Sequence, residues 1–92
     1  MIEIKRGKNS FYVGDNEDKP LAKMDIKQKE HEIVIEHTFV SEKLRGQNVA
    51  RKLLESVVNF ARENNETIIP ICPFAKGELE KNKDYSDVYT SK

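Results

Sequence analysis

The first half of the chain alternates apolar and polar residues with a period of two, which is the pattern of half-buried β-strands. The alternating apolar positions fall in three stretches: Ile2 and Ile4, Phe11 and Val13, and Ala22, Met24 and Ile26. Turn-forming residues occupy positions 7–9, 14–18 and 28–30, so each connection is short. This arrangement predicts an antiparallel meander.

A fourth strand is predicted over residues 32–40, where β-branched residues are frequent. Strict alternation divides its side chains between two faces: Ile33, Ile35, His37 and Phe39 on one, and Val34, Glu36, Thr38 and Val40 on the other. Because both faces are largely apolar, we expect this strand to lie in the centre of the sheet.

The period changes to that of a helix after Asn48. Apolar side chains recur there as one stripe: Val49, Ala50, Leu53, Leu54, Val57, Val58 and Ala61. A short apolar run at residues 67–71 predicts a fifth strand, parallel to the fourth and reached by a right-handed crossover. Pro70 has no amide proton, so we expect the fifth strand to be unpaired on one side there. Residues 73–81 predict a second short helix, with Pro73 at its first position.

These elements predict a single domain over residues 1–92, of the α/β or α+β class. The sheet should be mostly antiparallel, with one parallel β-α-β crossover and a short C-terminal helix. A chain of 92 residues is long enough for one two-layer core and too short for a deep enclosed cavity. A substrate site should therefore be shallow or shared.

The composition is that of a soluble globular protein, and it narrows the range of partners. Lys and Arg together number 16, as do Asp and Glu, so no net field attracts nucleic acid. No apolar run approaches membrane-spanning length, and the N-terminus lacks the apolar core of a signal peptide. A single cysteine excludes an internal disulfide, and one Cys with two His assembles no metal-ligand set. We therefore expect a cytoplasmic protein that binds no nucleic acid, membrane or metal.

The segment between the fourth strand and the first helix has the features of an anion site. The chain turns through Gly46 into a helix whose first backbone N–H groups lack intrahelical acceptors and lie at the positive end of the helix dipole. Such groups suit a phosphate or a pyrophosphate. Arg45 adds a guanidinium group whose geometry matches phosphate oxygens. A plain strand-to-helix turn is the alternative interpretation.

The spacing Arg-x-x-Asn-x-Ala at residues 45–50 resembles the acyl-CoA-binding signature of the GNAT superfamily of N-acetyltransferases, Gln/Arg-x-x-Gly-x-Gly/Ala. Asn48 stands where the pattern has Gly, and Asn tolerates a left-handed backbone better than other non-Gly residues. Residues 70–73, Pro-Ile-Cys-Pro, are similar to the Pro-x-Cys-Pro segment of a minimal family of short GNAT-like proteins. The chain lacks the helical pair and the final hairpin that form much of the substrate site in larger members.

The resemblance implies that acetyl-CoA or CoA is bound and that an amine accepts the acetyl group. It assigns cofactor contacts to Arg45, Gly46, Gln47, Asn48, Val49 and Ala50 in the loop, and to Phe39 and Val40 beside the pantetheine arm and the thioester carbonyl. In this family the fourth and fifth strands splay apart to admit that arm, and Pro70 fits this geometry. Without a final hairpin the acyl end should lie in an open groove, which favours an acceptor amine on a protein or peptide.

Cys72 and His37 are the candidate catalytic residues. Cys72 precedes Pro73, so its sulfur is expected at a helix N-terminus, where the dipole favours a thiolate that could accept an acetyl group. An imidazole such as that of His37 can accept a proton near neutral pH, and Glu36 is a second candidate base. The alternatives are structural: a buried apolar Cys72, a hydrogen-bonded core His37 and a solvated Glu36.

The sequence therefore predicts an acyl-CoA-dependent N-acyltransferase that uses acetyl-CoA as donor. Two alternatives remain open. One is a CoA-binding module without catalysis, in which the short chain has lost the acceptor site. The other is a protein-interaction domain whose docking surface is formed by Tyr85, Val88 and Tyr89.

Overall fold

The alternating first half of the chain forms four strands that pair antiparallel in chain order. A computed structural model describes residues 2–89. Its strands and helices are β1 (Lys5–Arg6), β2 (Ser10–Val13), β3 (Ala22–Gln28), β4 (Glu32–Val40), α1 (Val49–Glu63), β5 (Thr67–Pro70) and α2 (Pro73–Lys81). The sheet order is β1-β2-β3-β4-β5, and only β4 and β5 are parallel. The α+β architecture with one parallel crossover is therefore confirmed.

The first strand is shorter than the alternation predicts. Ile2 and Ile4 precede β1 and pack, partly buried, against the core. Pairing with β2 is confined to Lys5↔Tyr12 and Arg6↔Phe11. Directly after β2 the backbone of Gly14 adopts φ 128°, which turns the chain away and ends the ladder.

One face of the sheet and the apolar stripe of α1 form the core. The buried side chains of α1 are Val49, Leu53, Leu54, Val57, Val58 and Ala61, which confirms the predicted stripe except at Ala50. They pack against alternate residues of β3, namely Ala22, Met24 and Ile26. Ala75 and Leu79 of α2 belong to the same core. Burial of this stripe fixes the position of α1, because it removes a continuous apolar surface from water.

A β-bulge in β4 changes which side chains share a face. Asp25 pairs with His37 but Ile26 pairs with Ile35, so Glu36 is an extra residue on β4. Residues that pair directly across two strands lie on the same face of the sheet. Thr38 therefore lies on the core face with its partner Met24, and His37 lies on the outer face with Asp25.

The prediction that Ile33, Ile35, His37 and Phe39 share one face is therefore wrong. Ile33 and Ile35 are fully buried, whereas His37 and Phe39 are exposed. The physical reason is the inserted Glu36, since one extra residue reverses the alternation for the rest of the strand. Thr38 and Val40 occupy the core-facing positions in their place.

The parallel ladder between β4 and β5 ends halfway along β4. Pairing runs from Glu32↔Thr67 to Ile35↔Pro70. The carbonyl of Ile35 then accepts two amides, from Ile71 at 2.9 Å and from Cys72 at 3.1 Å. Beyond this point β4 continues to Val40, and no strand within residues 2–89 pairs with it on the β5 side. A gap between the two strands is the result.

Pro70 fits the outer edge of β5. The amides of Thr67 and Ile71 donate to β4 or to the residue before it, so the nitrogens of Ile68 and Pro70 face away from β4. The amide of Ile68 donates instead to the carbonyl of Val88, at 2.8 Å. The expectation of an unpaired edge at Pro70 agrees with this alternation.

The C-terminal segment folds back on the domain rather than presenting a docking surface. Val88 is 2% exposed and Tyr85 is 9% exposed, and both belong to the core. Arg62 of α1 donates to both carboxylate oxygens of Asp87, at 2.7 and 3.1 Å. The alternative in which Tyr85, Val88 and Tyr89 form a docking surface is therefore wrong for Tyr85 and Val88, which are buried, and Tyr89 is partly buried against the same core.

Glu17 organises the turn between β1 and β2. Its carboxylate accepts the Ser10 hydroxyl at 2.6 Å and the amides of Lys8 and Asn9 at 3.1 Å each. These bonds favour the ionised form, so they lower the pKa of the Glu17 carboxyl, with the Ser10 hydroxyl contributing most. The side chain of Ser10 is itself fully buried.

We predict that Glu17→Gln lowers the free energy of unfolding by about 1 kcal/mol at neutral pH. A lowered pKa in the folded state contributes stability above the unfolded-state pKa, and this stability is lost as the pH falls through the folded-state pKa. The difference between the wild type and Glu17→Gln should therefore shrink on acidification to about pH 3. Urea unfolding at both pH values measures it. Asp15→Asn is the control, because it removes an exposed carboxylate from the same connection between β2 and β3 that contains Glu17. Its free energy of unfolding should equal that of the wild type at both pH values.

Candidate active site

The loop before α1 is shaped by two residues with a positive φ. After β4 a 3-10 helix spans Glu42–Leu44, and the hydroxyl of Ser41 accepts the amide of Lys43 at 3.3 Å. Gly46 then adopts φ 84°, and Asn48 adopts φ 57° and ψ 34°. The expectation that Asn48 takes a left-handed backbone in place of Gly is confirmed. Its side chain, however, forms no capping hydrogen bond.

The N-terminus of α1 consequently presents unpaired amides. The first intrahelical bond joins the amide of Lys52 to the carbonyl of Asn48, at 3.0 Å. The amides of Val49, Ala50 and Arg51 precede that bond and have no acceptor within residues 2–89. No acidic side chain occupies the first turn. The positive end of the helix dipole is therefore available to an anion.

An open cavity of about 280 Å³ lies at this helix N-terminus. Its lining residues are Val40, Leu44, Arg45, Gly46, Asn48, Val49, Ala50, Arg51 and Phe74. The cavity thus joins the end of β4, the loop, the first turn of α1 and the first turn of α2. Most of the predicted cofactor residues lie together here, with the exception of Phe39 and Gln47.

Phe39 and Gln47 lie outside the cavity. The side chain of Phe39 is 46% exposed on the outer face of the sheet, opposite Lys23. The amide of Ser41 donates to Leu21 across to β3, so by alternation the amide of Phe39 also faces β3. The amides of Thr38 and Val40 face the gap instead. Gln47 is exposed and does not line the cavity.

Sequence reasoning missed three lining residues, Leu44, Arg51 and Phe74. Arg51 directly follows the matched spacing, and its charge was a usable signal. Phe74 comes from α2, and nothing in the sequence indicates that α2 lies beside the loop.

Arg45 and Arg51 differ in their surroundings: Arg45 has no ion-pair partner within residues 2–89, whereas Arg51 donates to Glu78 at 2.9 Å.

Cys72 lies at the start of α2, beside the gap between β4 and β5. It is the residue before the first helical position, which Pro73 occupies, and its side chain is buried. Its sulfur lies 3.3 Å from the hydroxyl oxygen of Thr38. The predicted position of the sulfur at a helix N-terminus therefore agrees with the structure.

The surroundings of Cys72 favour the thiolate. Burial alone would raise the pKa of the thiol. Hydrogen bonds from the Thr38 hydroxyl and from the backbone of Ala75, Phe74 and Thr38 outweigh burial, so the pKa is lowered. A cysteine whose ionised form is stabilised in this way can act as a nucleophile.

The structure does not bring His37 to Cys72. The bulge at Glu36 turns His37 to the outer face, while Thr38 occupies the position beside the sulfur. Glu36 and His37 are both exposed where β4 loses its β5 partner. His37 is therefore not the hydrogen-bonded core residue of its alternative interpretation, whereas the exposure of Glu36 agrees with the solvated alternative.

Within residues 2–89, no helix has the length and apolarity needed to cross a bilayer. The same residues contain no cluster of three or more His, Cys, Asp or Glu side chains that could hold a metal ion.

A meander, a parallel crossover and a gap beside a helix N-terminus together form the architecture of a GNAT-type acetyltransferase. The chain belongs to the GCN5-related N-acetyltransferase family, whose model matches residues 10–88. This membership identifies an acetyltransferase.

Two solved structures are similar to the chain. The first is the NMR solution structure of a GCN5-like protein from Staphylococcus aureus, described as a candidate N-acetyltransferase. It has 50% sequence identity and a TM-score of 0.83, over 99% of this chain and 90% of that chain. The second, the ribosomal-protein-S18-alanine N-acetyltransferase from Escherichia coli, has 17% identity and a TM-score of 0.61, over 83% of this chain and 52% of that chain. The second likeness shows the fold alone. A search of curated proteins found no match.

Asn48→Gly should leave the free energy of unfolding unchanged or slightly higher, because Gly adopts the left-handed backbone without strain and the Asn48 side chain forms no capping bond. Asn48→Ala should cost about 1 kcal/mol. Chemical denaturation measures both. The same two substitutions at Asn65 are the matched control. Asn65 also has a left-handed backbone, at φ 54°, but it lies beyond the other end of α1. A large loss of stability in Asn48→Gly would contradict the role assigned to the backbone.

Proposed function

We propose that the protein transfers the acetyl group of acetyl-CoA to an amine. The observation that carries this proposal is the cavity at the N-terminus of α1, which combines free amides with Arg45 and opens beside the gap between β4 and β5. An anion-binding helix N-terminus next to an unpaired strand edge suits a ligand with a diphosphate and an amide-containing arm.

The residues present fit acetyl-CoA. The amides of Val49, Ala50 and Arg51, together with the guanidinium of Arg45, would hold the diphosphate. The space beside Gly46 is open, since a Cβ atom added there would meet nothing within 4 Å. The amide of Val40, which faces the gap, would pair with the pantetheine arm. The thioester of the donor supplies an activated acyl group.

In the proposed reaction Cys72, which lies beside the gap, is the first acetyl acceptor. Its thiolate would attack the thioester carbonyl, forming a new carbon–sulfur bond as the bond to the CoA sulfur breaks. The proton released by the Cys72 thiol ends on the CoA sulfur, so the products are acetyl-Cys72 and CoA. An amine would then attack the acetyl carbonyl and displace the Cys72 thiolate, which recovers a proton from the amine. Direct attack of the amine on the thioester is the competing route.

His37 and Glu36 suit a role on the acceptor side. Both are exposed on β4 at the point where the gap opens, so either could take a proton from an amine that arrives from the outer face. Phe39 and Ile71, which are 46% and 63% exposed, supply apolar surface near the same strand ends. An open surface of this kind favours an amine on a protein or peptide over an enclosed small molecule.

Turnover tests the proposal and separates it from CoA binding without catalysis. Acetyl-CoA should release CoA faster when a lysine-containing peptide or a peptide with a free N-terminus is added, and the peptide should gain one acetyl group by mass spectrometry. CoA binding without any acetylated acceptor would favour the binding module.

Arg45→Glu should weaken CoA binding at least about tenfold, because it places a repulsive charge where a guanidinium would meet the diphosphate. Calorimetry with CoA measures the change. Lys43→Glu is the matched control: it makes the same charge change in the same loop, but Lys43 does not line the cavity. If both variants lose CoA affinity equally, the effect is due to net charge alone. An unchanged CoA affinity in a folded Arg45→Glu protein would refute the assignment of Arg45 to the diphosphate.

Incubation with acetyl-CoA should give a single acetyl adduct on Cys72, detected by intact mass and peptide mapping and absent from Cys72→Ala. Thr38→Val should slow this acetylation at neutral pH, since loss of the hydroxyl raises the pKa of the Cys72 thiol. His37→Ala should form the adduct at the wild-type rate, because His37 lies on the other face. Full acetyl transfer by Cys72→Ala would establish direct attack by the amine.

A further inference from the structure

Glu78 is a charged side chain that α2 buries against α1. The residue is 8% exposed, and both of its carboxylate oxygens are engaged. Oε1 accepts Nε of Arg51 at 2.9 Å, and Oε2 pairs with Nζ of Lys81 at 3.0 Å. Hydrogen bonds from Lys81 first and from Arg51 second lower the pKa of Glu78, which therefore remains ionised near neutral pH.

Arg51 stands between this carboxylate and the cavity. It lines the cavity at the N-terminus of α1, and its side chain remains 56% exposed despite the ion pair. Only Nε is used in the bond to Glu78, so the two terminal nitrogens have no acceptor within residues 2–89. A guanidinium held through Nε keeps those nitrogens available as a fork of donors for an anion.

We propose that Glu78 is a positioning residue that orients Arg51 to bind a phosphate group of the CoA donor. The inference rests on the proposed function. It extends the cofactor site from the loop to the interface between α1 and α2, and it gives the cavity a second cation, on the helix, in addition to Arg45 on the loop.

Two physical effects favour such an arrangement: Glu78 restricts the conformational freedom of the Arg51 side chain, and it offsets the repulsion between positive charges at the cavity. An exposed arginine loses conformational entropy when a ligand immobilises it. Pairing with a largely buried carboxylate restricts the side chain before the ligand binds, so less entropy remains to be lost. Glu78 also offsets the repulsion between Arg51, Arg45 and the positive end of α1 while no anion is bound.

The same ion pair could serve only to link α1 to α2. The two roles differ in one respect: only the positioning role makes the effect of a substitution depend on the phosphate groups of the donor. Arg51→Gln should weaken CoA binding about tenfold, equivalent to about 1.4 kcal/mol. Glu78→Gln, which keeps the shape of the side chain and removes its charge, should weaken binding about threefold to tenfold. The double variant should bind no more weakly than Arg51→Gln alone, because Glu78 acts through Arg51. Lys81→Gln, which removes the other partner of the same carboxylate, is the matched control and should bind CoA as the wild type does.

The decisive readout is the rate with S-acetylpantetheine, a donor without phosphate groups, in the presence of a lysine peptide. The kcat/KM with this donor should be equal in the wild type, Arg51→Gln and Glu78→Gln, whereas kcat/KM with acetyl-CoA should fall in both variants. Equal losses with both donors would overturn the positioning role and leave a structural bond. If Glu78→Gln does not fold, Arg51→Lys tests the same point, since it keeps the charge and loses the fork, and wild-type CoA affinity in Arg51→Lys would also overturn the proposal.

The failure of this inference is distinct from that of the proposed function. If the wild type binds CoA and Arg51→Gln binds it equally well, only the role of Arg51 and Glu78 is refuted. If the wild type binds no CoA, the proposed function is refuted, and the positioning role with it.

Discussion

The end of the parallel ladder between β4 and β5 is the constraint on which the site depends. A parallel pair can continue only while each strand offers its amides and carbonyls to the other. At Ile35 one carbonyl takes the amides of both Ile71 and Cys72, and β5 then turns into α2. The remaining residues of β4 stay paired with β3, but no strand within residues 2–89 pairs with the backbone groups on their other side. The sulfur of Cys72 is held beside those groups, 3.3 Å from the Thr38 hydroxyl. The gap is thus a consequence of how hydrogen bonds are completed at a single residue.

The bulge at Glu36 decides what faces that gap. A regular strand would have placed His37 toward the core, whereas the extra residue turns Thr38 inward and His37 outward. The core side of β4 therefore combines a hydroxyl with the Cys72 thiol, and the outer side carries groups that ionise. One inserted residue thus places the Cys72 thiol and the His37 imidazole on opposite faces of β4.

The sequence was a good guide to features with a local cause. The apolar stripe of α1 and the left-handed Asn48 followed from helical periodicity and from the backbone preference of Asn. The bulge could not be predicted, because it depends on the register between β3 and β4, and alternation within β4 contains no sign of it. The position of Phe74 in the cavity wall and the Arg51–Glu78 ion pair were equally hidden, since both arise where α2 packs beside the start of α1. The burial of Tyr85 and Val88 was hidden for a similar reason, since it arises where the segment after α2 folds back on the core and their sequence neighbours are polar.

The contact between Ile68 and Val88 bears on how the free edge of β5 is covered. An open strand edge presents a row of amides and carbonyls that can recruit the edge of another chain. Along β5 the Ile68 amide is occupied by the Val88 carbonyl, and Pro70 offers no amide at all. The Arg62–Asp87 bonds hold the segment that supplies this carbonyl. The short C-terminal segment thus covers part of the β5 edge, which leaves fewer backbone groups there for another strand to pair with.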